Sequence, residues 1–146
     1  FGRYTYQRIM PGAGVTAADL LRAHRMRRRL TEQFQQQVFG CCEVLVTACG
    51  QTTAARFDDF PLDWPPPKLA NDMQTIPFSI TGNPALSLPT GFAGDGLPIG
   101  LQLVGKPFEE SMLFRVAAVL ETELGQRDRR PPTPVATIQV ADQGDS

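Results

Sequence analysis

Apolar residues recur at Leu20, Ala23, Met26, Leu30, Phe34 and Val38. This spacing places them on one side of a helix and predicts a long amphipathic helix over about Ala17 to Phe39, with the arginines on its outer face. Thr16 is a suitable N-cap, and Asp19 three residues on suits the positive end of the helix. After Gly40 the period shortens. Glu43 to Ala48, "EVLVTA", is β-branched and bounded by Gly40 and Gly50, which predicts a buried strand. The following stretch, with Pro65, Pro66 and Pro67, has no periodicity and reads as a long loop. A short helix within Asn71 to Gly82 is limited by Pro77 and Pro84 and stopped by Gly82. Two apolar runs, Ala85 to Thr90 and Ile99 to Val104, flank Gly94, Asp95 and Gly96, which are hairpin residues. They are expected to be antiparallel neighbours. Met112, Leu113, Val116, Ala117 and Leu120 predict a second amphipathic helix, roughly Glu109 to Leu124, with Gly125 as its C-cap. The last residues are polar and rich in proline, and the reading divides the chain into 1–132 and a tail, 133–146.

Composition narrows the picture only slightly. The chain has 146 residues, 42 % of them hydrophobic, and 13 each of Gly and Pro, which fits one domain with many turns. A net charge of −1 gives no electrostatic reason for a nucleic acid or an anionic membrane as partner. Arg22, Arg25, Arg27, Arg28 and Arg29 read as a solvated helix face. Three cysteines, Cys41, Cys42 and Cys49, show no disulfide framework and suit a reducing compartment, so a cytoplasmic location is expected. With His24 the sole histidine and no CxxC, no metal site is expected. No run of 18 apolar residues is present. The first residue is Phe1 rather than Met, and the opening lacks a signal-peptide pattern, so the chain is expected to be a piece of a longer polypeptide.

The residues alone assemble no catalytic constellation. Cys49 with His24 is one nucleophile–base candidate and Ser87 with Lys106 another, but His24 reads as a helix-surface residue and Ser87 as a packing one. Asp58 and Asp59 read as solvated loop acids, and the adjacent Glu109 and Glu110 do not share a helix face. "GAGVTA", Gly12 to Ala17, lacks the preceding strand and final glycine of a dinucleotide fingerprint.

One longer pattern is specific. Thr81, Gly82, Pro84, Ala85, Ser87, Pro89, Gly91 and Phe92 are followed by Gly96, Leu97, Pro98, Gly100, Gln102, Gly105 and a helix. This run resembles the C-terminal part of an amidase signature family enzyme. Upstream, Ala23 and Arg27 to Arg29 before "EVLVTA" are similar to that family's helix and strand. Glu43, Ala48 and Ser79 depart from its usual Asp, Pro and Asn. Arg129 to Pro132 is similar to its closing segment, so the resemblance runs from about Gly14 to Pro132.

The resemblance implies an α/β fold, a mixed β-sheet flanked by helices. It implies hydrolysis of an amide, ester or carbamate (a urethanase included) by a Ser–cis-Ser–Lys triad, without a cofactor. In the family that triad and its Gly/Ser-rich loop precede the matched region, and no such loop occurs here, so no catalytic residue is assigned to this chain. The expected partners are an N-terminal catalytic portion of the same enzyme and a small-molecule substrate. Phe78, Ser79 and Thr81, with Trp64 at the rim, are the candidates for substrate binding. Two other readings stay open: a non-catalytic truncated paralogue acting as a binding module, and the A subunit of a tRNA-dependent amidotransferase.

Overall fold

A computed structural model describes residues 2–55 and 74–129. Helix α1, Arg3–Ile9, leads through a 3-10 turn, Met10–Gly14, into α2, Ala17–Gln37. The entry to α2 is a complete capping box. Asp19 N–H donates to Thr16 Oγ1 at 3.2 Å, and the Asp19 carboxylate accepts from Thr16 N–H at 3.3 Å, which satisfies two amides that would otherwise lack partners. Strand β1 is Val44–Ala48 and helix α3 is Ile76–Thr81. Pro77 sits in the first turn of α3, where its missing N–H costs nothing, and Gly82 ends the helix at φ 75°, a conformation that side chains disfavour. Strands β2, Ala85–Phe92, and β3, Pro98–Gly105, precede helix α4, Glu110–Leu124.

The sheet order is β1–β3–β2, and both pairings are antiparallel. The expected β2–β3 neighbours are thus found, joined through Ala93–Leu97 with the backbone bond Ala93 N–H to Leu97 O at 2.9 Å. A register shift between Pro89 and Gly91 leaves Thr90 as an extra residue in β2, an edge strand, where both a bulge and a proline are tolerated. The α/β class stands, although among the described residues the sheet has no parallel pair.

Strand alternation divides the core. On one face Leu88 and Leu103 pack with Leu113 and Ala117 of α4. On the other, Val104 packs with Phe39 and Phe78, and Phe34, Cys42 and Leu45 border them. Phe34 meets Phe39 edge-on at 5.6 Å between centroids, a favourable aromatic geometry. β3, the central strand, carries the side chains of Leu103 and Val104, both fully buried.

Two expectations are corrected. β1 is not a buried strand. It is an edge strand with no buried residue, and Val46 is 52 % exposed: it pairs with β3 alone, and Val44 borders the cluster under α4. The apolar stripe of α2 is not a core face along its length. Leu20, Met26 and Leu30 are all exposed, and the helix meets the rest of the fold through its C-terminal half, beside α3.

Candidate functional site

Three strands bring a polar row together. Thr47 of β1 and Ser87 of β2 both stand opposite Gln102 of β3. Gln102 is buried, and its Nε2 donates to Thr47 Oγ1 at 3.3 Å. Just past β1, Cys49 Sγ and Ser87 Oγ share a hydrogen bond at 3.1 Å. This contact exists because residue 100 is glycine: a Cβ there would stand 3.3 Å from the sulfur and 3.5 Å from the hydroxyl. The turn between β2 and β3 reaches the same region. Thr53 Oγ1 donates to Asp95 Oδ2 at 3.2 Å, while Asp95 Oδ1 accepts from Leu97 N–H at 3.1 Å.

The segment after β1 is flanked by two open depressions. One is bounded by Thr47, Ala48, Gly50, Gln51, Gln74, Pro77 and Phe78. The other lies between residues 49–54 and Ala93, Pro98, Ile99 and Gly100. Among the described residues, neither lining contains a Lys, Arg, His, Asp or Glu. Apolar, amide and hydroxyl groups suit binding and orientation of a neutral group rather than proton transfer. Among the described residues no three His, Cys, Asp or Glu are grouped to hold a metal ion, and no helix is long and apolar enough to cross a membrane.

Of the residues singled out from the sequence, Phe78 reaches the first depression. The same ring is buried against Phe34, at 6.0 Å between centroids. Ser79 is exposed, and its N–H donates to Thr75 O at 3.4 Å. The Thr81 hydroxyl turns back on its own helix, toward Pro77 O at 3.2 Å and Phe78 O at 3.4 Å. Neither Ser79 nor Thr81 lines either depression, and Trp64 lies outside the described residues. Ser87 does not point into packing as expected. It is exposed and bonded to Cys49, because it lies on the polar side of an edge strand. His24 stands on the exposed stretch of α2.

Sequence reasoning missed the buried polar residues Gln102 and Asn83 as organisers of this region. Gln102 gave one signal, a lone amide inside the apolar run "GLQLVG". Asn83 gave another, its place directly after the helix-ending Gly82.

The sheet–turn–helix arrangement built by these residues has counterparts. A family model described as Amidase matches residues 1–114, and the chain belongs to the amidase family. Over 136 residues it is 40 % identical to the A subunit of the glutamyl-tRNA(Gln) amidotransferase of Microcystis aeruginosa, covering 90 % of this chain and 28 % of that protein. It is 38 % identical to the fatty acid amide hydrolase of Medicago truncatula over 129 residues, 81 % of this chain and 20 % of that one. In three dimensions it is similar to 6-aminohexanoate cyclic dimer hydrolase, with TM-score 0.71 and 25 % identity, covering 87 % of this chain and 29 % of the other. A crystal structure of an amidase matches with TM-score 0.73 and 26 % identity over 86 % of this chain and 29 % of its own. The chain therefore spans under a third of the length of these relatives.

Proposed function

We propose that this polypeptide is the C-terminal part of an amidase-type serine hydrolase, acting on an amide, ester or carbamate. It contributes the β1–β3–β2 sheet, its helices and one wall of the substrate pocket to a Ser–cis-Ser–Lys triad carried by a preceding catalytic portion. The observation that carries this reading is the family match over residues 1–114. The site's chemistry agrees: among the described residues, the depressions offer shape and neutral hydrogen-bonding groups but no acid, base or ammonium group. In such an enzyme a neutral lysine draws the proton from serine through the bridging serine. The serine attacks the carbonyl while backbone amides hold the oxyanion, the C–N or C–O bond breaks as the amine or alcohol leaves with the proton taken from serine, and water then releases the acyl group. Nothing in this chemistry calls on a cofactor. Phe78, with Pro77 and Thr47 beside it, is the group of this chain best placed to meet the acyl or aryl part of a substrate. Ser79, Thr81 and Trp64 remain candidates for contact once the catalytic portion is in place.

Denaturing mass spectrometry with fluorophosphonate labelling tests this reading. A serine-labelled polypeptide larger than 16.0 kDa, with turnover of an amide, ester or carbamate panel, is the expected result. A single unlabelled species of 16.0 kDa without turnover would overturn it in favour of a non-catalytic binding module. The identity to an amidotransferase of glutamyl-tRNA(Gln) supports a second reading, in which the liberated ammonia is passed on to glutamyl-tRNA. Glutamine-dependent amidation of that tRNA, in preference to simple hydrolysis, would select it.

A further inference from the structure

Helix α3 is six residues long, too short for its propensity to hold it. Its last carbonyls have no partner within the helix. Gly82 N–H and Asn83 N–H both turn back to Phe78 O, at 2.8 and 3.2 Å, which leaves the carbonyls of Ile80 and Thr81 pointing onward. Arg27 of α2 supplies what is missing: its Nε donates to Ile80 O at 2.7 Å. A cation at a helix C-terminus is favoured by both hydrogen bonding and the helix dipole. Gly82 lies alongside the guanidinium: a Cβ there would stand in ordinary contact with Arg27 Nη2, at 3.7 Å.

Arg27 opens a polar stripe on one side of α2, continued at i+4 and i+8 by Thr31 and Gln35. The Thr31 hydroxyl donates to Arg27 O at 3.0 Å and lies 3.5 Å from Thr81 O. Gln35 Nε2 donates to Asn83 Oδ1 at 3.2 Å, and Asn83 Nδ2 donates to Gly105 O at 2.7 Å. The stripe thus runs from α2 across the end of α3 to the central strand. The neighbouring arginines do something else, for Arg22 and Arg28 pair with Asp19 and Glu32 of their own helix, at 3.9 and 2.9 Å.

We propose that Arg27 is a positioning residue for the pocket wall: its guanidinium fixes the C-terminal end of α3, and so sets where Pro77 and Phe78 stand against β1. The consequence for turnover rests on the hydrolase reading above. The geometric claim does not.

Two readouts on the purified protein test this. Hydrogen exchange at the Gly82 and Asn83 amides is followed in Arg27→Leu, Arg27→Lys and, as a control for lost charge, Arg28→Leu. Arg27→Leu is expected to speed exchange at both amides about tenfold, with β3 and α4 unchanged. Arg27→Lys, which keeps a cationic donor, restores most of the protection, and Arg28→Leu leaves it as it was. For an active enzyme, Arg27→Leu should raise KM for a bulky acyl substrate several-fold more than for a small one, with kcat held. Unchanged exchange in Arg27→Leu, or equal acceleration across the whole chain, would overturn the proposal. So would a KM rise equal for both acyl sizes. An inert wild type would sink the hydrolase reading alone, and the exchange result would still decide the role of Arg27. If Arg27→Leu fails to fold, exchange at the same two amides in Arg27→Lys and Arg27→Gln decides it: protection graded with donor strength supports the role, and indifference to the change sinks it.

Discussion

Asn83 Nδ2 donates to the carbonyl of Gly105 at 2.7 Å, a buried bond across 22 residues of sequence that joins the end of α3 to the end of the central strand. Its Oδ1 is also in use, accepting from Gln35. Asn83→Ala leaves the Gly105 carbonyl and the Gln35 amide without these partners. The expected loss is about 1–3 kcal/mol, read as a lower midpoint in urea. A midpoint unchanged from wild type would show that water replaces the side chain without cost.

Gly105 allows α4 to approach the sheet. A Cβ at this position would lie 3.0, 3.2 and 3.3 Å from Leu113 Cγ, Cδ2 and Cδ1. Gly105→Ala should therefore overpack the core and cost about 1–3 kcal/mol. Combining it with Leu113→Ala, which alone opens a cavity, should cost less than the sum of the two. Strict additivity in that double-mutant cycle would show that the two residues do not compete for the same space.

Phe78 packs the core and, on the proposed reading, also meets the substrate; the two separate by size of substitution. The ring is 7 % exposed and packs with Phe39 and Val104, so Phe78→Ala should cost about 3–5 kcal/mol. Burial makes the stability effect the first one measured. Phe78→Leu keeps most of the packing, and its expected signature is a changed ratio of kcat/KM between bulky and small acyl groups at temperatures well below its melting point.

The α2 capping box gives a pH signature. The Thr16 hydroxyl first, and then its backbone N–H, hold the Asp19 carboxyl below the usual aspartate range. A carboxyl depressed in the folded state adds stability that is present above its ordinary value and is lost as pH falls through the depressed one. The first turn of α2 should therefore fray in acid, below the normal aspartate range. Amide exchange at Leu20 and Leu21 against pH checks this, and Thr16→Ala should flatten the profile. An identical profile in Thr16→Ala would remove the capping box as its cause.

The sequence made the local elements legible and left the long-range ones hidden. Gly94, Asp95 and Gly96 marked the β2–β3 connection, and Gly125, at φ 62°, marked the end of α4. The capping pair Thr16 and Asp19 located the start of α2. Helix α1 was missed because "RYTYQRI" has no apolar period and Gly2 offers no side-chain cap. That β1 lies at an edge follows from its pairing with β3 alone, far along the chain, which no local pattern records. The site shows the same division. Phe78 could be named as a candidate because an apolar ring beside small hydroxyls suits an acyl or aryl group, and it borders one of the depressions. The pairing of Cys49 with Ser87 and of Arg27 with Ile80 spans 38 and 53 residues and depends on the tertiary fold.

The strand order implies a sequence of assembly. β2 and β3 are joined by a short turn, so Phe92 meets Pro98 early, and α4 follows directly onto the same two strands. β1 is made first along the chain, yet it must wait for β3, because Val44 pairs with Gly105. Distant pairings form late, since chain closure is unfavourable until their contacts exist. We therefore expect pulse-labelled refolding to protect β2, β3 and α4 before β1 and α2, and simultaneous protection of all five would refute it. On this order the ribbon after Gly82 is the template, and α2 and β1 are shaped on it.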